Sequence, residues 1–300
     1  MGCFAVGIVG LVAAAVCGGG TPLEAGIKGD QVVVRAGGEI VTCYTFAHDQ
    51  KYPYFFPVNG PASQKSVTTE SSQPWPHHHS LFFGCDKVFG AGYWGNYWQE
   101  ANETGQIVSE GPKIEIASGE AVVFTDVCLW RQPEKPPVIR DTRRITIRAP
   151  RNDLRLIDFE ITLTPLTAVQ VQQSNHSLFA GRMVPELSVT SGGVLVNAEG
   201  KRGEAETYGA ASPWCAYYGT RDGVTEGMAI FQHPGNRWYP SKWFTRDYGF
   251  FSPTPMYWIE GGKLDLPEGD PLTLHYRVAV FAGDIEQAGL ADLFEAYAAE

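Results

Sequence analysis

Three adjacent histidines, His77, His78 and His79, stand in the segment PWPHHHSLFF (74–83), just before an apolar run. An imidazole with an ordinary pKa of about 6.5 exchanges protons near neutral pH and is also a common metal ligand. Alternate side chains of a β-strand share a face, so a strand here would point His77 and His79 together and His78 away. The triplet therefore predicts a proton-transfer site, a sugar contact or a metal site. The structural alternative is a set of hydrogen-bonded histidines at the edge of the core.

A metal site would need a third ligand from elsewhere in the chain. The candidates are His233, Glu186 and Asp247, of which His233 completes the predicted set with His77 and His79. A His-x-His pair plus one further ligand can hold a divalent ion. A divalent metal is thus one cofactor that the sequence allows, and it does not specify which metal.

Arg182 lies in SLFAGRMVPEL (177–187), an otherwise apolar stretch. A buried guanidinium needs a carboxylate partner or a ligand to hold, which makes Arg182 a candidate for binding an anion or stabilising an enolate. The predicted catalytic residues are His77, His79, Arg182, His233 and Asp247.

Aromatic residues are concentrated in FGAGYWGNYW (89–98) and GNRWYPSKWFTRDYGFF (235–251), where they alternate with charged or polar residues. Rings that pack on sugar faces beside polar groups that bind hydroxyls are what a carbohydrate cleft needs. The alternative is a loop that covers its own core with these rings. The predicted substrate-binding residues are His78, Tyr93, Trp94, Glu186, Asn236, Trp243, Arg246 and Tyr248.

Short segments of strand-like alternation, separated by glycine, proline, asparagine or aspartate, cover nearly the whole chain. In RLIDFEITLTPL (155–166), for example, Ile157, Phe159 and Ile161 alternate with Asp158 and Glu160. Helical periodicity is convincing only in DIEQAGLADLFEAYAAE (284–300). These patterns predict an antiparallel all-β sandwich with one short C-terminal helix, in a single domain from residue 26 to 300.

Residues 1–25 are predicted to be a signal peptide, because CFAVGIVGLVAAAV (3–16) is uncharged, apolar and too short to span a bilayer comfortably. Cleavage is expected either near Ala25 or before Cys17, which would then carry a lipid. The protein is therefore predicted to be exported, periplasmic or extracellular, or lipid-anchored. No membrane span is predicted in the mature chain.

The chain has 300 residues and a net charge of −10, and its one basic cluster is RDTRR (140–144). Nucleic acid is excluded as a partner because phosphate binding needs a basic face. Cys43, Cys85, Cys128 and Cys215 match no zinc spacing, and no disulfide is assigned among them. Motifs of serine hydrolases, P-loop enzymes, zinc proteases and dinucleotide-binding proteins are absent from the sequence. The oligomeric state is not predicted.

Several motifs together are similar to those of the DUF6807 family of exported bacterial proteins, to which the label "methane oxygenase PmoA-like" is often attached. The resemblance covers nearly all of residues 30–285. A methane oxygenase subunit would need several apolar spans of about 20 residues, and none follows residue 25. The motifs are YPYFFPVNGP, PHHHSLFFG, GYW, IDFEITLTPL, GRMVPELS, VNAEG, PWCAYYG, IFQHPGNRWYPSKWFTRDYGFF and LTLHYRVAVFAG.

Several polar residues of the family pattern are replaced in this chain. Pro74 and Trp75 stand where the family usually has Asp and His, His79 stands where it has a basic residue, and Gln232 stands where Asp is common. In 88–94 an Asn and an Asp of the pattern are also missing. These replacements imply altered specificity or lost activity. The residues that match are His77, His78, Ser80, Leu81, His233, Pro234, Asn236, Trp243, Arg246, Asp247, Tyr248 and Gly249.

The resemblance implies a role in carbohydrate breakdown and a galactose mutarotase-like supersandwich. The leading hypothesis is an exported enzyme that cleaves a glycoside, for example a 3-keto-glycoside, as a lyase or hydrolase by acid–base or metal-assisted chemistry. A non-catalytic carbohydrate-binding protein and a sugar mutarotase or epimerase are the alternatives. In each case the expected partner is a carbohydrate.

Overall fold

Residues 20–73, 75–94 and 104–300 are described by the computed structural model. Most of the secondary structure is β-strand, as the alternating pattern predicts. The strands are β1 (Leu23–Lys28), β2 (Gln31–Ala36), β3 (Glu39–Thr45), β4 (Tyr54–Val58), β5 (Leu81–Cys85), β6 (Gln106–Ser109), β7 (Lys113–Ile116), β8 (Ser118–Gly119), β9 (Ala121–Arg131), β10 (Ile139–Arg151), β11 (Leu154–Pro165), β12 (Val169–Gln172), β13 (Ser177–Arg182), β14 (Val194–Asn197), β15 (Trp214–Arg221), β16 (Val224–Gln232), β17 (Trp243–Arg246), β18 (Phe250–Pro253), β19 (Lys263–Leu266) and β20 (Leu272–Ala282).

Helices are few and short. The α-helices are α1 (Gly203–Thr207), α2 (Ile285–Ala288) and α3 (Leu290–Ala298), and the 3₁₀ turns are Pro185–Leu187, Val189–Ser191, Pro255–Tyr257 and Glu260–Gly262. Among the described helices, none is both long and apolar enough to cross a membrane.

Two large antiparallel sheets form the body of the protein. The first has the strand order β17-β18-β13-β5-β4-β3-β2-β1-β8, and the second has the order β14-β15-β16-β20-β11-β10-β9-β6, with β7 also paired to β9. Both sheets draw strands from the N-terminal and the C-terminal parts of the chain. The antiparallel all-β architecture predicted from the sequence is confirmed.

The main core lies between the two sheets, and β11 shows how the sequence builds it. Ile157, Phe159 and Ile161 are at most 2% exposed and face the first sheet, whereas Asp158 and Glu160 between them are half-buried. The ring of Phe159 lies 4.9 Å from that of Phe179 on β13, across the sandwich. Burial of such apolar side chains is the main stabilising contribution to a sandwich of this size.

The predicted C-terminal helix is confirmed, and it is divided in two by Gly289, whose φ of +69° is left-handed. Asp284 caps α2, since its side chain accepts the Gln287 N–H while the Gln287 side chain accepts the Asp284 N–H. Leu290 and Tyr297 of α3 are buried in a second apolar cluster on the outer face of the second sheet. The helices therefore cover that face.

The N-terminal strand begins before the predicted start of the domain. Leu23 is 2% exposed and β1 pairs with β2 from Leu23 opposite Ala36 to Lys28 opposite Gln31. Cleavage after Ala25 would divide this strand. Cys17 and most of the predicted signal peptide lie in residues 1–19, outside the described residues.

Candidate active site

The pairing of β5 with β13 positions the candidate active site. Cys85 lies opposite Ser177, and Leu81 lies opposite Gly181. The residues just beyond the strand ends therefore also meet. Asp86 donates its N–H to the carbonyl of His176 at 2.9 Å, and Arg182 donates its N–H to the carbonyl of Ser80 at 2.7 Å.

His176 and Asp86 form a hydrogen-bonded pair. His176 Nδ1 lies 3.0 Å from Asp86 Oδ2, and Asp86 Oδ1 accepts the backbone N–H of Trp94 at 3.0 Å. Asp86 is 4% exposed, whereas the His176 side chain is 28% exposed. Because a carboxylate at Nδ1 favours the tautomer with its proton there, Nε2 is left as the basic nitrogen. The Trp94 ring stacks on the imidazole at 5.8 Å and fixes its plane.

His77 and His78 lie in a turn before β5, so the alternation that a strand over the triplet would impose does not apply. Ser80 has a left-handed φ of +57°, which turns the chain before the strand begins at Leu81. Before it, His78 donates its N–H to the Trp75 carbonyl at 3.1 Å, and in this turn the ring centres of His77 and His78 lie 4.3 Å apart. The ring of His77 also lies 6.2 Å from that of His176.

Burial keeps both of these histidines neutral near pH 7. Desolvation, with the nearby His176 as the second cause, lowers the pKa of His77 to about 3. Desolvation, together with His77 and Arg182, lowers the pKa of His78 well below its ordinary value. Both side chains can therefore serve as neutral hydrogen-bonding groups.

Arg182 ends β13 and is 1% exposed. Its Nη2 donates to Ser72 Oγ at 3.0 Å and to the Gln73 carbonyl at 3.3 Å. Within residues 20–73, 75–94 and 104–300, its Nε and Nη1 have no hydrogen-bond partner. Desolvation lowers the pKa of Arg182, and the groups that oppose this effect are Tyr248 and Tyr217, with no carboxylate among them.

A cavity of about 350 Å³ is lined by His77, His78 and His176, and Arg182 lies behind one of its walls. Its wall is completed by Tyr248 and Arg246, and the guanidinium of Arg182 lies 4.2 Å from the centre of the Tyr248 ring. Arg246 is paired with Glu204 at 2.9 Å. The volume is within the range of small-ligand sites, at about 300–1,000 Å³. The lining residues are Trp75, His77, His78, Asn175, His176, Phe244, Arg246, Tyr248 and Phe250.

The predicted metal set of His77, His79 and His233 is not assembled, and that prediction is corrected. His79 turns away to Tyr54, with ring centres 5.0 Å apart. His233 lies beside His275 and Tyr297 at the outer face of the second sheet. In the described part of the chain, no group of three His, Cys, Asp or Glu residues could hold a metal ion.

Five other predicted residues do not line this cavity. Asp247 accepts the Glu204 N–H at 2.7 Å, and Asn236 accepts the His275 N–H at 2.8 Å. Trp243 is fully buried and donates to the Ser212 carbonyl. Tyr93 packs on Trp130 in the core. Glu186 is exposed on the 3₁₀ turn Pro185–Leu187. Tyr97 and Trp98 lie outside the described residues.

A family model called "Family of unknown function (DUF6807)" matches residues 31–295. The chain belongs to the DUF6807 family. The match covers every strand of the two large sheets except β1, and it includes every residue of the candidate active site. No curated protein matches this DUF6807 member in sequence.

Three solved structures resemble it distantly. A galactose mutarotase related enzyme from Lactobacillus acidophilus has 8% identity and a TM-score of 0.35, covering 87% of this chain and 97% of its own. A candidate aldose 1-epimerase from Escherichia coli K12 has 12% identity and a TM-score of 0.32, and the match covers 87% of this chain and 98% of that chain. An alpha-galactosidase from Lactobacillus brevis has 8% identity and a TM-score of 0.37, and the match covers 89% of this chain and 40% of that chain. Similarity at this level does not assign an activity to the chain.

Asp86 and His176 are the site residues that the sequence analysis missed. They stand 90 positions apart in the chain, in FGCDKV and QSNHSL, and neither segment has a motif. What distinguishes them is that each one directly adjoins a buried strand, β5 or β13. The pairing and register of these two strands would have revealed the dyad.

Proposed function

We propose that this DUF6807 member processes an oxidised sugar by proton transfer in the cavity around His176. The observation that carries the proposal is the buried guanidinium of Arg182, which has no carboxylate partner among the described residues and lies near two histidines, His77 and His78. Burying an unpaired charge costs several kcal/mol by order of magnitude. A fold that tolerates this cost is expected to gain a function from it.

The function of such a charge is to hold an oxygen that becomes negative during a reaction. A preorganised donor in a site shielded from water stabilises a developing oxyanion more strongly than water does. A sugar that carries a ketone fits, because its enolate oxygen becomes negative when the neighbouring carbon loses a proton. Tyr248 covers Arg182 on the cavity side, so substrate binding would move this half-buried ring and bring the oxygen to Nη1.

His176 is the better candidate for the base. It is held by Asp86 through Nδ1, its side chain is partly exposed to the cavity, and its Nε2 would face the substrate. Burial makes His77 and His78 poor proton acceptors, and they would instead donate or accept hydrogen bonds to hydroxyl groups. The proton-transfer role predicted for His77 thus passes to His176.

The most concrete reaction is β-elimination from a 3-keto-glycoside. His176 would remove the proton from carbon 2, and the electron pair of that C–H bond would form the enolate, whose oxygen Arg182 stabilises. The enolate would then re-form the ketone and expel the glycosidic oxygen from carbon 1. That oxygen takes up the proton, so the products are an unsaturated keto-sugar and an alcohol, with no change in the overall oxidation state. Export, as predicted for residues 1–25, would place this reaction outside the cytoplasm.

The test follows the proton directly. The protein is incubated in D₂O with methyl glucoside, methyl galactoside, methyl mannoside and the 3-keto form of each, and the products are followed by NMR. We expect loss of the carbon-2 proton signal and release of methanol from at least one 3-keto-glycoside. The His176→Ala variant should lose both, whereas His275→Ala, a partly exposed histidine in a different cavity, should keep both.

Each other outcome has a defined meaning. Deuterium exchange at carbon 2 with an intact glycosidic bond would indicate epimerisation instead of elimination. No exchange and no product with any of the six sugars would contradict the enzyme proposal and leave a carbohydrate-binding protein. Turnover that persists in His176→Ala would remove His176 from the reaction.

A further inference from the structure

A second cavity, of about 700 Å³, lies at the edge of the first sheet, beside β17. It is formed by the loop that precedes β17, the two 3₁₀ turns that follow β18, and the start of β19. Trp238, Tyr239 and Trp258 line it, and all three rings are half-buried. Arg237 lies over the Trp238 ring at 5.6 Å and Lys242 lies near the Trp258 ring at 5.9 Å.

This combination is unusual for a surface loop. Large aromatic side chains are mostly buried in monomeric proteins, and a group of them at the surface marks a binding site more often than a packing defect. Here the rings alternate with cations and with the carboxylates of Glu260 and Asp265. An apolar protein partner would leave those charges desolvated, whereas the C–H faces and hydroxyl groups of a sugar match both kinds of group.

Aromatic contacts connect this cavity with the candidate active site. Arg246, which lines the active-site cavity, lies 4.7 Å from the centre of the Tyr208 ring. Tyr208 is 37% exposed, and its ring lies 5.8 Å from that of Trp258 in the second cavity. Phe244, in the active-site cavity, lies 5.4 Å from Tyr208. A surface of rings therefore runs from one cavity to the other.

We infer that this surface, formed by Phe244, Tyr208, Trp258, Trp238 and Tyr239, binds the chain of an oligosaccharide whose terminal sugar enters the active-site cavity. The inference rests on the proposed function for the identity of the ligand, and it extends that function from a single sugar to a sugar chain. The active-site cavity of about 350 Å³ accommodates a small unit, and the second cavity takes the units that follow it. Trp258 is central to the surface, because it contacts Tyr208 on one side and lines the second cavity on the other.

The experiment measures binding as a function of chain length. Isothermal titration calorimetry is carried out with cellohexaose, maltohexaose, xylohexaose and mannohexaose and with the three corresponding monosaccharides, glucose, xylose and mannose. We expect the protein to bind at least one hexasaccharide on the order of tenfold or more tightly than its monosaccharide. Trp258→Ala should remove most of this gain, since a single central aromatic residue often contributes a tenfold change in affinity.

Three further variants distinguish the loss of a ring from the loss of the fold. Trp258→Phe keeps a ring and should retain most of the gain, and Tyr239→Ala should lose part of it. Phe89→Ala removes a ring that is 50% exposed and lines neither cavity, so it should bind like the unmodified protein. Each variant is also compared by thermal unfolding.

The outcomes distinguish this inference from the proposed function. Binding of a hexasaccharide that depends on Trp258, in a protein that turns over none of the keto-glycosides, would support the surface and reject the enzyme. Turnover of a keto-glycoside without any length-dependent gain would support the enzyme and reject the surface. An equal loss of monosaccharide and hexasaccharide binding in Trp258→Ala would also contradict the inference.

Discussion

His176 Nδ1 lies 3.0 Å from Asp86 Oδ2, although 90 positions separate the two residues in the chain. The contact is a consequence of the register between β5 and β13, because each residue lies just beyond one end of the paired strands. Asp86 is nearly buried and also accepts the Trp94 N–H, so one carboxylate holds the imidazole and the chain segment whose ring stacks on it. Asp86 is thereby a positioning residue for His176.

Replacing Asp86 by asparagine should change the protonation of His176. The asparagine side chain has a single acceptor oxygen, whereas the carboxylate accepts from two donors, His176 Nδ1–H and Trp94 N–H. If the asparagine oxygen keeps the hydrogen bond from the Trp94 N–H, its NH₂ group faces His176 Nδ1. That donor favours the imidazole tautomer with its proton on Nε2. We expect turnover to fall roughly 10²- to 10⁴-fold. Nitrogen NMR of the imidazole, which needs no substrate, should show the altered tautomer.

Asp153→Asn serves as the control, since Asp153 is an exposed carboxylate paired with Arg151. It should change neither turnover nor the His176 spectrum. An unchanged tautomer together with full turnover in Asp86→Asn would show that the carboxylate does not orient the imidazole.

Replacing Arg182 by methionine should abolish sugar processing with little loss of stability. The change removes two hydrogen bonds, to Ser72 and Gln73, and the contact with Tyr248, but it also removes a buried charge without a carboxylate partner among the described residues. These effects oppose one another, so the free energy of unfolding should change by no more than about 1 kcal/mol. Urea denaturation measures it. A loss above about 3 kcal/mol would indicate that the guanidinium serves the fold.

Local sequence patterns were sufficient to predict the fold class. The alternation of Ile157, Phe159 and Ile161 with Asp158 and Glu160 assigns β11 and its inward face, because side-chain period is a local property of a strand. The same is true of the cap at Asp284. Strand order is not local, and the adjacency of β5 and β13 has no signature in either segment.

The site was only partly predictable for the same reason. Arg182 was singled out because a charge inside an apolar stretch is visible in one segment. A shared face for His77 and His79 requires a strand over the triplet, whereas the strand begins only at Leu81, after the left-handed Ser80. Serine rarely adopts this conformation, so the sequence does not predict a left-handed residue at this position. Asp86 can be recognised as a site residue only from its contact with His176, and that contact exists only in the folded chain.

Acid should destabilise the protein through the buried histidines. The pKa values of His77 and His78 are lower in the folded state than the ordinary value of about 6.5, mainly because of burial. The unfolded chain therefore binds more protons between pH 6.5 and the folded-state pKa, so stability is fully present above pH 6.5 and falls as the pH decreases below it. Each histidine can contribute up to about 1.4 kcal/mol per pH unit in that window.

Urea denaturation at pH 7.5, 6.5 and 5.5 measures this dependence. The double variant His77→Gln/His78→Asn removes both groups and should flatten the decline between pH 6.5 and 5.5, whatever its stability at pH 7.5. The same slope in the variant and the unmodified protein would mean that other groups cause the acid sensitivity.

Arg143 offers the opposite case to Arg182, since it is a buried arginine with a carboxylate partner. It is fully buried, and its Nε and Nη2 donate to the two oxygens of Asp141, one of which also accepts from Trp130 Nε1. Arg143→Met would leave the Asp141 carboxylate buried without its cation. Removing one partner of a buried pair costs about 3–5 kcal/mol, and we expect a loss of that size in the free energy of unfolding.

Arg140→Ala is the matched control, because Arg140 lies on the same strand, β10, and its ion pair with Glu110 is exposed. It should lose no more than about 1 kcal/mol. The same substitution by methionine is thus expected to be harmful at Arg143, which has a carboxylate partner, and nearly neutral at Arg182, which has none among the described residues. Equal losses at both positions, measured by urea denaturation, would show that Arg182 is as structural as Arg143 and would remove the main support for an anion-binding role.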